Sequence, residues 1–385
     1  MQHDNELLIL GGGCAGLSLA MQLAQRCHHV PSTLILEQRA CYENDRTWCF
    51  WGDAETPFAQ QATHQWHRFK IASAGQERRI DCSVTPYFML TADQFYRAAM
   101  ATLATAPQIR LKMASTIQAE PQFHQGQWHL ETQDGTVSAA RIVDTRPLRP
   151  IHQDGALMWQ SFYGLEIECA EPVFDSGCVD LMDFSAATSD RVAFTYVLPL
   201  SSTRALVEFT VFAVAPFTSE ELALDLQGAI EERTHGHSFT VQRSEHGILP
   251  MGLTGLQAPG PSKDPSYVRV GLFAGAARPA TGYAFQRIQR WAADCARAIA
   301  TGGSLIEHPK EPALRGWMDA LFLNVIRHQP ELAPQLFLAL FCGGASQRVI
   351  RFLGENGRLS DYLAIAWVLP HGPFLRQLFS LPRWP

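Results

Sequence analysis

The stretch that most restricts the fold is "NELLILGGGCAGLSLAMQLAQRC", residues 5–27, followed by "STLILEQ" at 32–38. "NELLIL" reads as a buried strand that enters a glycine turn. Leu17, Ala20, Met21 and Ala24 then recur at helical spacing. "STLILEQ" reads as a second strand ending at Glu37, so the chain opens with a βαβ unit. Gly11, Gly13 and Gly16 stand at G-x-G-x-x-G spacing around Ala15. In such a loop the first glycine permits the turn and the second lets backbone approach a pyrophosphate. The third lets helix and strand pack closely, and the helix N-terminus offers free N–H groups to the anion. Glu37 comes after the last glycine by about 20 residues, the place of an acid that binds a free ribose 2′-OH.

The chain beyond Glu37 decides between FAD and NAD. A NAD domain would continue in regular βα units, whereas this chain runs into irregular strands. A second glycine loop, "FAGAARPATG" at 273–282, comes far downstream and just before another helix. That layout fits an α/β fold of the glutathione-reductase type, with an FAD-binding Rossmann domain, an inserted antiparallel-sheet substrate domain and a C-terminal helical region. The expected division gives residues 1–60, 91–155 and 253–305 to the FAD domain. Residues 61–90 and 156–252 go to the substrate sheet, and 306–385 to the helical subdomain. Local signals agree: Thr91 as N-cap of a helix, Thr218 or Ser219 as N-cap of another, and a hairpin turn at Asp134-Gly135.

Bulk properties narrow the function. A net charge of −6 provides no basic field, which argues against a nucleic-acid partner. Nine cysteines without a C-x-x-C pair, and no signal-peptide pattern, set the expectation of reduced thiols in the cytoplasm. "RCHHV" and "HGH" lack repeated ligand spacing and read as a helix end and a polar turn, so no metal is expected. No apolar run approaches the ~20 residues needed to span a bilayer. Hydrophobes mixed with arginines in "GWMDALFLNVIRH", "APQLFLALFC" and "FLRQLFSLPRW" read either as a cover over a tunnel or as a peripheral contact with the inner face of a membrane.

The strand "RALVEFTVF", Arg204–Phe212, is apolar on both faces except for Glu208. A carboxyl on such a strand is either an edge charge reaching solvent or a desolvated acid with a raised pKa, suited to general acid catalysis. Asp183 in "LMDFS" is either a second acid of the same pocket or a turn cap. Asp144 ends the strand "ARIVDTR", where a structural or flavin-contacting role is expected.

Collinear segments over most of the chain resemble the lycopene cyclase family, flavoproteins that close β-rings on carotenoids. They are "LILGGGCAGLSLA", "NDRTWCFW" (44–51), "LMDF" (181–184), "FTYVLPLSSTRALVEFT" (194–210) and "RPATGYAF" (278–285). The resemblance implies a redox-neutral cyclisation of a lipophilic polyene, with Glu208 as acid, beside a reduced FAD for which NAD(P)H is the reductant. It also implies that Arg46 and Thr47 contact the cofactor. Thr281, Gly282 and Tyr283 would present backbone N–H groups to the isoalloxazine edge, with Pro279 in the same cofactor-binding loop, and Trp48 and Phe50 pack on flavin, tunnel or core. One departure stands out: where the family has two consecutive acids, Glu208 is followed by Phe209. An FAD monooxygenase or oxidoreductase of the same fold and a non-catalytic flavin- or isoprenoid-binding carrier are the competing readings. A carrier would gain nothing from a desolvated acid.

Overall fold

A computed structural model of the protein describes residues 5–27, 29–147, 156–185, 191–253, 264–341 and 346–378. Outside the described residues lie His28 of the histidine pair, Cys342, most of the "GGAS" turn and the end of "FLRQLFSLPRW". So do the segments 148–155, 186–190 and 254–263; the expected domain boundary after residue 155 falls at the end of the first, and the one after residue 252 falls among the described residues.

The chain begins β1 (Asn5–Leu10), α1 (Cys14–Arg26), β2 (Thr33–Leu36), β3 (Thr47–Trp51), β4 (His64–Trp66), β5 (Arg68–Ser73), β6 (Gln76–Asp81), β7 (Tyr87–Thr91) and α2 (Ala92–Leu103). It continues through β8 (Ile109–Lys112), β9 (Gln122–His124), β10 (Gln127–Thr132) and β11 (Gly135–Asp144). The second half holds β12 (Ala156–Cys169), β13 (Val179–Asp183), β14 (Val192–Pro199), β15 (Arg204–Ala213), α3 (Ser219–Thr234), β16 (Phe239–Leu253), β17 (Tyr267–Arg269) and α4 (Phe285–Ala300). Helices α5 (Ala313–His328), α6 (Ala333–Leu340), α7 (Ser346–Leu353), α8 (Leu359–Val368) and α9 (His371–Leu378) complete the order.

One seven-stranded sheet runs β8-β2-β1-β11-β10-β9 with β17 beside β11. Its centre is parallel, and Leu7, Leu8, Ile9 and Leu10 of β1 are fully buried, as a strand covered on both faces requires. Helix α1 packs on it with α2 and α4 through Leu17, Leu23, Phe95, Trp291 and their neighbours. The Asp134-Gly135 turn joins β10 to β11, with Thr132 opposite Gly135. Thr91 is the N-cap residue of α2, although its hydroxyl donates to Asp93 rather than accepting a backbone N–H.

The second seven-stranded sheet runs β16-β12-β15-β14-β13-β5-β6, and β3, β7 and β4 form a small third sheet. Period-two alternation gives β15 two different coverings. Ala205, Val207, Phe209 and Val211 pack on Leu222, Leu226, Ala229 and Ile230 of α3. That helix starts from a capping box at Thr218 and Glu221. Leu206, Glu208, Thr210 and Phe212 face the other way, toward a space roofed by α6 and α7.

Candidate active site

A cavity of about 1850 Å³ runs from the glycine loop after β1 to this inner face of the second sheet. It exceeds the ~300–1,000 Å³ of an ordinary ligand pocket, so it has room for a dinucleotide and a chain-like second ligand end to end.

At the first end, Gly11 takes φ 99°, and a Cβ at Gly16 would sit 2.1 Å from the Gly11 carbonyl oxygen. A Cβ at Gly13 would meet nothing within 4 Å, so the backbone there faces open space. Gly13 caps α1 without any side-chain hydrogen bond, which leaves the N–H groups of the first turn for an anion. Cys14 in that turn is no nucleophile, because burial pushes its thiol up to about 12. Glu37 accepts the Gly12 N–H at 2.8 Å and two bonds from the Arg39 guanidinium. Burial alone would raise its pKa, but the Arg39 hydrogen bonds and charge bring it below the ordinary carboxylate value. Arg39 also reaches Tyr96, which stacks on Tyr42. The residues present fit a dinucleotide with a free 2′-OH.

Asp144 is fully buried and does not line the cavity; Tyr267, Arg146 and Arg269 all donate to it. It ties β11 to β17, and Thr145 and Arg146 after it reach the cavity instead. The loop 278–284 differs from expectation in its donors. The Thr281 and Gly282 N–H groups both bond the Arg278 carbonyl, and the Tyr283 N–H bonds the Thr281 hydroxyl. These N–H groups are used inside a tight turn with Gly282 at φ 68°. The donors a helix leaves unpaired begin with α4 itself, from Phe285. Pro279 lies behind the wall, its carbonyl accepting the Gly252 N–H, while Thr281, Gly282 and Tyr283 line the cavity. Arg278 anchors the loop through a bidentate bond to Asp319 of α5, at 3.1 Å for both contacts.

At the second end the wall is aromatic: Phe162, Phe194, Tyr196 and Phe212 from the sheet, and Trp51, Tyr87 and Tyr283 opposite. The Tyr87 and Tyr196 hydroxyls bond each other at 3.0 Å. Glu208 is buried among them. Burial, then the negative charge of Glu245 and a hydrogen bond with its side chain, raise the Glu208 carboxyl well above the ordinary value.

Glu245 is the residue that sequence reasoning missed. Gly164 of β12 is paired with Glu208 on one side and Glu245 on the other. With no side chain between them, the two carboxyls meet over the glycine; a Cβ there would lie 2.5 Å from Glu208 Cγ. An isolated glycine inside a long strand is the signal that could have found this close approach. Thr47 belongs to the same cluster, its hydroxyl donating to Glu245 at 2.7 Å and accepting from Arg243 at 2.8 Å. Arg243 bonds both Glu245 and Glu166, and Arg204 joins Glu166. Arg46 lines the cavity near the glycine loop and is held by Asp45.

Asp183 takes the turn-cap alternative. It shares the register of Thr195 and therefore of Phe209, on the face covered by α3. There it accepts from Ser185 and pairs with Arg233. Burial would raise its pKa, but Ser185 and Arg233 lower it. A second acid at position 209 would point the same way, out of the cavity.

The sequence pattern of the family described as lycopene cyclase protein matches residues 6–379. The chain belongs to the lycopene cyclase family. It is 23% identical to a lycopene beta-cyclase of Pantoea ananas over 99% of both chains. It is 31% identical to that of a Paracoccus strain over 65% of this chain and 66% of the relative. Among solved structures it superposes on a geranylgeranyl bacteriochlorophyll reductase-like protein from Thermoplasma acidophilum at 13% identity. That match has a TM-score of 0.61 and covers 98% and 100% of the two chains. A p-nitrophenol 4-monooxygenase from Pseudomonas putida matches at 13% identity, with TM-score 0.57 and coverage of 97% and 99%. This member of the lycopene cyclase family therefore has the fold of FAD-dependent monooxygenases and reductases. Among the described residues no helix is long and apolar enough to cross a membrane, and no group of metal-ligating side chains occurs.

Proposed function

We propose that this member of the lycopene cyclase family is an FAD-binding β-cyclase that closes the ends of a linear polyene by acid–base carbocation chemistry without net redox change. The observation that carries the reading is Glu208, a buried carboxyl held against a second carboxyl in the aromatic end of a cavity continuous with a dinucleotide loop. A redox or oxygen-transfer reaction has no use for such an acid at its substrate wall.

Gly11, Gly13, Ala15 and Gly16 would hold the FAD pyrophosphate at the α1 N-terminus and Glu37 its ribose. Arg46 and the loop Thr281–Tyr283 border the inner end, and NAD(P)H is assigned as reductant. Held there in its reduced form, a flavin would supply negative charge to offset a developing cation. Glu208 donates its proton to the terminal double bond of the polyene. The faces of Tyr196, Phe194 and Phe212 stabilise the resulting cation, and the apolar wall excludes the water that would quench it.

The polyene reaches this cavity from a bilayer, and α8–α9 is the surface we assign to that contact. Leu359, Leu363 and Trp367 recur on one helical face with Leu375 beyond, exposed by 66%, 65%, 81% and 56%.

Expression in cells that accumulate lycopene tests the reading. β-Carotene or its monocyclic precursor is expected, and the Glu208→Gln variant leaves lycopene unchanged while still binding FAD, a loss of at least about 100-fold for a missing general acid. Soluble yellow protein beside unaltered lycopene would refute the substrate assignment.

A further inference from the structure

Beyond the acid, cyclisation needs a base, and the residues around Glu208 single one out. We propose that Glu208 and Glu245 are one acid–base unit sharing a single proton across Gly164, with Glu208 as the acid that starts ring closure and Glu245 as the base that ends it. This inference rests on the proposed cyclisation for its chemistry, but the shared proton stands on the cluster itself.

Two cations and three carboxylates make up the cluster. Arg243 bridges Glu245 and Glu166, and Arg204 binds Glu166 from the partly exposed end. Glu166 and Glu245 have side chains only 4% and 2% exposed, and Arg243 12%. Charges this deep must be balanced, and the two arginines balance Glu166 and Glu245. Glu208 completes the set without excess charge only when it carries a proton. The other titratable groups facing it, Tyr196 and Cys49, are neutral, since burial first of all raises both. Glu245 lines the cavity beside Glu208, so both carboxyls reach the same substrate end.

The proton balance closes within this pair. The Glu208 O–H bond breaks as a C–H bond forms at the inner carbon of the terminal double bond, which leaves a tertiary cation on the outer carbon. The electron pair of the neighbouring double bond forms the ring C–C bond. A C–H bond at the ring carbon then breaks, its pair becomes the ring double bond, and the proton goes to Glu245. Transfer along the Glu245–Glu208 hydrogen bond restores the starting state, with no oxidant, reductant or outside proton consumed.

Infrared spectroscopy of the FAD-loaded protein, alongside lycopene turnover, tests the unit. A protonated carboxyl band is expected at neutral pH in the native protein and absent in Glu208→Gln. It is also absent in Glu245→Gln, where the charge count lets Glu208 ionise. Turnover falls by at least about 100-fold in both variants. A band that survives Glu245→Gln, or a Glu245→Gln variant that cyclises at the native rate, overturns the proposal. If Glu245→Gln does not fold, absence of the band in the native protein is sufficient to overturn it. Expected bands in a native protein that cyclises no polyene would instead sink the proposed function and leave the shared proton standing.

Discussion

Gly164→Ala is the smallest change that separates the position of Glu208 from its chemistry. The added methyl would lie 2.5 Å from Glu208 Cγ and 3.4 Å from its Cβ and carboxyl carbon. Carbons in contact keep about 3.5–4.0 Å, so Cγ must retreat by roughly 1 Å and takes the carboxyl away from Glu245. Cγ is near the root of the side chain, and β14 and β16 close the sheet on either side, so a simple swing of the tip does not clear the clash. A misplacement of about 1 Å at a reacting group costs on the order of 10²-fold, while overpacking one methyl costs about 1–3 kcal/mol of stability. The expected result is a folded, yellow protein whose turnover of lycopene, followed by pigment chromatography with reduced FAD, falls roughly 100-fold. FAD affinity is unchanged, because the glycine loop lies at the other end of the cavity. A Gly164→Ala protein with native turnover would show that the carboxyl pairing is irrelevant to the reaction.

The same structure sets three other outcomes. Because Glu208 keeps its proton in the folded state, and the unfolded chain releases it above about pH 4.3, its contribution to stability declines as pH rises beyond that value. Glu208→Gln is therefore expected to be more stable than the native protein near about pH 8, with the gap closing toward about pH 4.5; urea unfolding across pH checks this, and a pH-independent gap would contradict it. Asp319→Ala leaves the Arg278 guanidinium, 1% exposed, without its counter-charge, and a loss of about 3–5 kcal/mol in chemical unfolding is expected. The pair Leu363→Ser and Trp367→Ser is expected to abolish co-sedimentation with lipid vesicles while stability stays within about 0.5 kcal/mol; unchanged co-sedimentation would move the docking surface elsewhere.

The parts of the fold legible in the sequence are those set by local pattern. The glycine loop and its flanking β1, α1 and β2 come from spacing and periodicity, and β15 from its β-branched run. Glu208 could be singled out because one charge on a strand apolar on both faces is a local anomaly. Glu245 could not, because β16 is polar along much of its first half and its one carboxylate looks solvated. Only pairing with β12, far away in sequence, turns Glu245 inward. The same limit explains Asp183: its side of the sheet is fixed by register with β14, which composition does not encode. Thr47 sits in a motif that suggested the cofactor, yet its hydroxyl is committed to Glu245 through the packing of β3 against β16. Within the loop 278–284, the glycine and proline marked a turn, but which N–H groups the turn consumes depends on its closure onto the Arg278 carbonyl.

Redox-neutral ring closure started by Glu208 is open to a single decisive assay. The purified protein is incubated anaerobically with FAD, dithionite and lycopene, and product mass and ring content are measured together. Cyclised product of unchanged mass is expected, formed by the native protein and not by Glu208→Gln. Lycopene recovered intact, or a product that forms only with oxygen and carries its mass, would contradict that chemistry.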